Sequence, residues 1–325
     1  MTVLGVARRA VGWHRPLVVF AGLMVLCAVV SAVGMGLDDR VLENESIWLK
    51  PFKFGISLGV YSLTLAWMTS LVQKGKRLIW WLGTIIAALG AAEMAGILLQ
   101  VARGTASHFN NRTAFDATLF GVMGGLVVAL WLANLVVAVV LLVQRFADGP
   151  TRWALRLGMV TALVGMAVAF LMTQPTPEQR AALAGHQHVD MIGAHSVGLP
   201  DGGPGLPITN WSTVGGDLRV PHFLGIHALN ALPLVVLLLG LLARRFPRLR
   251  PEPVRTRLTV IAAGGYAGLF GLTLWQALRG QSLIHPDGQT LTALAALIGA
   301  VLLATVPVLY RTKTAGTLPT APATP

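Results

Sequence analysis

Apolar runs of about 20 residues decide what this chain can fold into. That is the length an α-helix needs to cross a hydrocarbon layer roughly 30 Å thick. Eight such runs are present: Pro16–Gly36, Phe54–Leu71, Leu78–Val101, Ala117–Val143, Leu157–Thr173, Phe223–Ala243, Leu258–Leu278 and Leu291–Tyr310. Inside a bilayer every backbone N–H and C=O must find its partner within the protein. The expected fold class is therefore all-α, a polytopic transmembrane helix bundle of eight spans. No segment reads as a strand. Composition agrees, since 54% of the residues are hydrophobic and 12% are charged, with a mean hydropathy of +0.68. A soluble domain carries about 25% charged residues. The first run is too long for the core of a signal peptide and no clear cleavage site follows it, so it counts as a helix. The fifth run is the weakest, because Arg156 limits its start.

The net charge of +12 would suggest nucleic acid only if position were ignored. Seventeen of the 25 Lys and Arg residues fall at the termini and in the even-numbered loops, for instance Lys74, Lys76 and Arg77, and Arg244 to Arg257. No basic stripe with interleaved aromatics appears, so no nucleic-acid partner is expected; the partner is the lipid bilayer. By the positive-inside rule both termini are cytoplasmic. The Ala/Leu/Val/Arg-rich, Lys-poor composition is that of a bacterial inner-membrane protein. The single cysteine, Cys27, lies in an apolar run and excludes an intrachain disulfide or a thiolate metal cluster. The tail, residues 312–325, is rich in Thr, Pro and Ala and is expected to be disordered.

Two stretches echo each other. Gln100-Val-Ala-Arg-Gly-Thr-Ala-Ser-His108 ends the third run, and Gln276-Ala-Leu-Arg-Gly-Gln-Ser-Leu-Ile-His285 ends the seventh. A weaker echo links Leu49-Lys-Pro-Phe-Lys-Phe-Gly-Ile56 at the second run to Leu218-Arg-Val-Pro-His-Phe-Leu-Gly-Ile226 at the sixth. The expected organisation is a 4+4 tandem repeat with a pseudo-twofold axis along the membrane normal, as in some transporters. Residues 1–148 form the first half. Residues 149–311 form the second, with a long outer loop over 175–220. Short matches among common residues such as Leu, Ala, Gly and Arg are the competing explanation.

On this topology seven of the eight histidines face outward, which points to a polar site at the outer side. Glu93 is the only acid within a span, on one face with Gln100 seven residues on. An intramembrane carboxylate is costly and usually faces the protein interior with a partner. It reads as a proton relay, an ion site or a hydrogen-bonded structural acid. His222 and His227 open the sixth span on different faces, while His227 and Asn230 share one. His227 is the more buried and the better candidate for a ligand or proton carrier, or else a helix–helix hydrogen bond, whereas His222 at the interface is a candidate ligand or simply solvated. His108 and His285, just beyond the two Gln-x-x-Arg-Gly motifs, form a candidate pair of ligands to haem b, copper or zinc, with His222 and His227 as further cofactor candidates. Gln276, like Gln100, joins Glu93 and Asn230 as a candidate for proton or ion coupling. In the long loop His186, His188 and His195, with Asp190 and Met191 nearby, could chelate copper or zinc, or simply belong to a cap over the bundle. Lys50, Lys53, Arg103, Arg112, Arg219 and Arg279 ring the outer mouths, either to bind an anion or to neutralise the outer acids.

The phosphate-loop, nucleophile-elbow, His-Glu-x-x-His and Cys-x-x-Cys patterns are absent. Three functional expectations follow. One is a haem- or metal-binding membrane protein in electron transfer or metal handling. Another is a transporter of a small solute or ion with Glu93 as coupling group. The last is an assembly or sensing protein whose long loop meets a partner protein.

Overall fold

The structure, a computed structural model, describes residues 12–145 and 147–311. The expected disordered tail, residues 312–325, lies outside the described residues. The chain is mostly helical: α1 (Arg15–Leu37), α2 (Leu49–Ser70), α3 (Lys76–Arg103), α4 (Ala114–Val143), α5 (Gly149–Ala167), α6 (Ala169–Met172), α7 (Pro177–Ala184), α8 (Arg219–Arg245), α9 (Glu252–Leu278) and α10 (Gly288–Arg311). Seven of the long helices have the length and hydropathy to cross a membrane, counting α5 and α6 together. The eighth expected crossing forms the 22-residue α2, which is less apolar. It carries Lys50, Lys53, Tyr61 and Ser62, and it packs against α1, α3 and α8. A helix surrounded by protein needs less hydropathy than one bathed in lipid.

The fifth run differs most from expectation. Its helix begins eight residues earlier than the apolar stretch, because Asp148 accepts the Thr151 N–H (3.2 Å) and Pro150 occupies the first turn. Arg156 does not end the span. Its guanidinium reaches back to the carbonyls of Leu141 (3.1 Å) and Gln144 (2.7 Å), the C-terminal groups that α4 leaves unpaired. At Val168 the helix is interrupted before α6, and the Val168 N–H is shared among the carbonyls of Val164, Gly165 and Met166.

Short strands exist where none was expected. Val41–Leu42 (β1) pairs with Glu45–Ser46 (β2), and Ser196–Val197 (β3) with Gly216–Asp217 (β4), both antiparallel. Two residues per strand are too few to leave a periodic signal in sequence.

Helix pairings recur along the chain. In the first half α1 packs on α2, α1 on α3, α2 on α3, and α3 on α4. In the second half α5 packs on α8, α5 on α9, α8 on α9, and α9 on α10. Contacts between α4 and α5 and between α2 and α8 join the two sets. The glycines of the weaker echo do the same work in each. A Cβ on Gly55 would fall 2.8 Å from the Met24 carbonyl oxygen of α1, and a Cβ on Gly225 would meet the Gly165 backbone of α5. The main buried cluster runs through α1–α5, from Leu17 and Phe20 to Leu155 and Met159.

The loops following α1, α3, α6 and α9 gather at one end of the bundle. The segment between α6 and α8 lies over them, stitched by backbone bonds: Asn111 N–H to Asp190 O (2.7 Å), Ile192 N–H to Phe109 O (2.8 Å), Ala194 N–H to Met172 O (2.9 Å) and Leu218 N–H to His195 O (2.9 Å). Helix α7 starts with a capping box between Thr176 and Gln179, and the Gln179 carboxamide also bonds both backbone groups of Gly193. This long segment is therefore an ordered cap.

Candidate functional site

The two Gln-x-x-Arg-Gly motifs are helix-closing devices. Gly104 (φ +71°) and Gly280 (φ +70°) end α3 and α9 in the left-handed conformation. In each motif the glutamine donates to the carbonyl six residues on: Gln100 Nε2 to Ala106 O (3.2 Å) and Gln276 Nε2 to Ser282 O (2.7 Å). In each the arginine pairs with the acid that opens the next helix, Arg103 with Asp116 and Arg279 with Asp287. Each guanidinium also lies 4.5 Å from the centroid of an aromatic ring, Phe115 or Trp275. Gln100 and Gln276 thus both help to close a helix end.

Past the glycines the two copies part. His285 is exposed, with Nδ1 3.1 Å from the Thr213 carbonyl. His108 turns inward beside Phe54, Phe109 and Phe120. Its Nε2 lies 3.5 Å from Glu93 Oε1, and its Nδ1 3.0 Å from Ser107 Oγ. Burial, then the charges of Lys50, His195 and His222, push the His108 imidazole well below its ordinary value. The expected pairing of His108 with His285 does not form; they contact different groups.

Glu93 lies on α3 with its side chain 8% exposed, and neither carboxyl oxygen has a hydrogen-bond partner. Its closest ionisable neighbour is His108, and Lys50 at the start of α2 lies within electrostatic reach. Among the described residues Lys50 makes no ion pair, whereas Lys53 bonds Glu45 Oε2 (3.0 Å) and the Thr209 carbonyl (3.1 Å).

The histidines of α8 and the cap complete the surroundings. His222 Nδ1 is 2.8 Å from the carbonyl of Gly165, just before the interruption in α5. His227 Nδ1 is 3.0 Å from Asn230 Nδ2, as the i, i+3 spacing requires, and stacks on Phe223. The Asn230 side-chain oxygen is buried without a partner. His195 bonds Asp201 through Nδ1 (2.8 Å) and stands edge-on to Phe109. Burial alone would raise the Asp201 carboxyl. The His195 imidazole, with the backbone N–H groups of His195 and Ser196 (each 2.8 Å), instead holds it far below the ordinary carboxylate range.

The metal expectation gains no geometric support. Among the described residues no three His, Cys, Asp or Glu side chains come together to hold an ion. His188 faces Asp190 at 3.4 Å at the surface, His195 faces Asp201, and His186 is exposed with φ +56°.

Two cavities lie over the site. The larger, about 400 Å³, is walled by the cap and the hairpin after α1, including Glu43, His195, Ser196, Asp201, Asn210 and Arg219. The smaller, about 30 Å³, includes Glu43, Glu45, Lys50, Ile97 and Ser107. Glu43 belongs to both. Ile97 is one helical turn from Glu93, and Ser107 bonds His108. The roles of Glu43 and Asp201 were hidden in the sequence. Each is one of several acids at this end, and only the closing of the cap over the hairpin brings them to the cavity.

No protein-family model, curated protein or solved structure matches this chain.

Proposed function

We propose that the chain is a proton-coupled carrier of a small solute, with Glu93 and His108 as the coupling pair. The observation that carries this reading is the Glu93 carboxyl, buried in an apolar helix with both oxygens unbonded and an imidazole nitrogen 3.5 Å away. A structural acid in such a place normally uses its lone pairs. One held for proton exchange keeps them free. The cavities above the pair offer a solute a route toward it. In this reading all eight long helices cross the plasma membrane, both termini are cytoplasmic and the capped end faces outward. The halves then repeat in parallel about an axis along the membrane normal. The recurrent helix pairings, the paired Gly55 and Gly225 contacts and the two arginine–aspartate closures support that repeat.

The metal-handling and assembly readings are not favoured by any comparable observation. The test is solute-evoked current from proteoliposomes on a solid-supported membrane, using amines, sugars, amino acids and carboxylic acids across roughly pH 5 to 8. A pH-dependent current is expected from the native protein and none from Glu93→Gln. A current that persists unchanged in that variant sinks the reading.

A further inference from the structure

We propose that the larger cavity is a binding site for a small solute carrying a protonated amine, and that it leads toward the Glu93–His108 pair past Glu43. The inference rests on the carrier reading above for its purpose, but its chemistry stands on the cavity walls alone. A volume of about 400 Å³ suits a small molecule.

Four side chains in the wall can carry charge: Glu43, His195, Asp201 and Arg219. Arg219 is already engaged. Its Nε lies 3.0 and 3.2 Å from the two Asp217 carboxylate oxygens, its Nη2 lies 2.7 Å from one of them, and it also donates to the Asn210 carbonyl. Asp201 is engaged by the Ser196 N–H at one oxygen and by two His195 groups at the other. Asp201 takes the Nδ1 side of His195, and the ring's other nitrogen, Nε2, has no hydrogen-bond partner among the described residues. Among the described residues the Glu43 carboxylate makes no hydrogen bond or ion pair, and its charged neighbour is Lys50. Asn210 spends its amide on the Glu43 backbone carbonyl at 3.4 Å.

What the walls leave open is the Glu43 carboxylate, which feels the charge of Lys50 but forms no ion pair with it among the described residues. An ammonium group, with three donors and no acceptor, is the complement. The one cation among the described wall residues, Arg219, is already held by Asp217, which leaves little for a carboxylate or phosphate. The competing cation is Lys50, which lines the smaller cavity on the other side of Glu43. Glu45 in that cavity is held by Lys53. Lys50 and an incoming amine therefore compete for the same carboxylate.

The test is ligand-induced thermal stabilisation of the full-length protein in detergent, with no gradient imposed. Ethanolamine and putrescine at millimolar concentration are the probes; ethylene glycol, butanediol and succinate are the matched controls. Stabilisation by the two amines alone is expected. Glu43→Gln should weaken it by about tenfold or more in apparent Kd. Glu43→Asp should retain it in part, which guards against a folding defect, and Lys50→Met should tighten it. Equal stabilisation by the diols, stabilisation by succinate alone, full amine binding in Glu43→Gln, or no response to either amine overturns the proposal. Amine binding that survives in Glu93→Gln while currents stay unchanged would sink the carrier reading and leave this site standing. The converse result would do the opposite.

Discussion

Gly165 and Gly225 meet backbone to backbone, so that a Cβ built on Gly165 would lie 2.5 Å from the Gly225 Cα. This contact lets α5 and α8 approach closely enough for the His222 imidazole to reach the Gly165 carbonyl at 2.8 Å. Only the absence of side chains permits it. Gly225→Ala should therefore destabilise the protein by about 1–3 kcal/mol, the usual range for overpacking. Gly264→Ala should be close to neutral, because nothing lies within 4 Å of the added carbon. Denaturant unfolding of the two variants in detergent checks this.

The two closing ion pairs are chemically alike but unequally placed. The Asp116 side chain is 4% exposed and accepts from Gln100, Arg103 and Thr113. The Asp287 side chain is 39% exposed. Removing a buried acceptor strands several donors at once, while an exposed pair is replaced by water. Asp116→Asn is expected to lower the melting temperature by several degrees. Asp287→Asn should lower it much less. Equal shifts would mean that the two closures carry equal weight.

Stability should fall on the acid side in two stages. The folded protein keeps His108 neutral, while the unfolded chain binds a proton there below about pH 6.5. The unfolded state gains protons first, so the His108 contribution is complete above that pH and is lost as the pH falls. Asp201 is held ionised in the fold, and its contribution is present above about pH 3.9 and lost below it. Melting temperature measured against pH should show the first decline in the native protein and a flatter profile in His108→Gln. A profile unchanged in that variant removes His108 as its origin.

Position after the shared motif should separate the two terminal histidines. His108→Gln is expected to shift or abolish the pH dependence of solute-evoked current. His285→Gln, whose ring meets only the Thr213 carbonyl among the described residues, should leave current within about twofold of native. Similar losses in both variants would argue for a symmetric role.

Much of the helical layout could be read from the chain because hydropathy over some 20 residues is a strong signal. The start of α5 was not legible, since Asp148, Pro150 and Arg156 contribute through capping and carbonyl contacts. Glu93 stood out as the only acid within a span. Its neighbour His108 was visible as a residue but seemed matched to His285, because both follow the same Gln-x-x-Arg-Gly closure. The spacing after the glycine differs by one residue, and the closures lead to different loops. The clusters expected in the cap could not be judged from proximity in sequence. His186, His188 and His195 lie within ten positions, yet the backbone sends His188 to Asp190 and His195 to Asp201 and leaves His186 exposed.

The β3–β4 pairing brings Ser196 opposite Asp217 and Val197 opposite Gly216, enclosing the exposed Gly202-Gly203 turn. The residues joined by that turn are thus already fastened to each other on either side of it. A break in the chain between Gly202 and Gly203 would leave two fragments that share a hairpin, the Asn210–Glu43 contact and the α5–α8 seam. Co-produced from separate reading frames, such fragments have the complementary surfaces needed to reassemble.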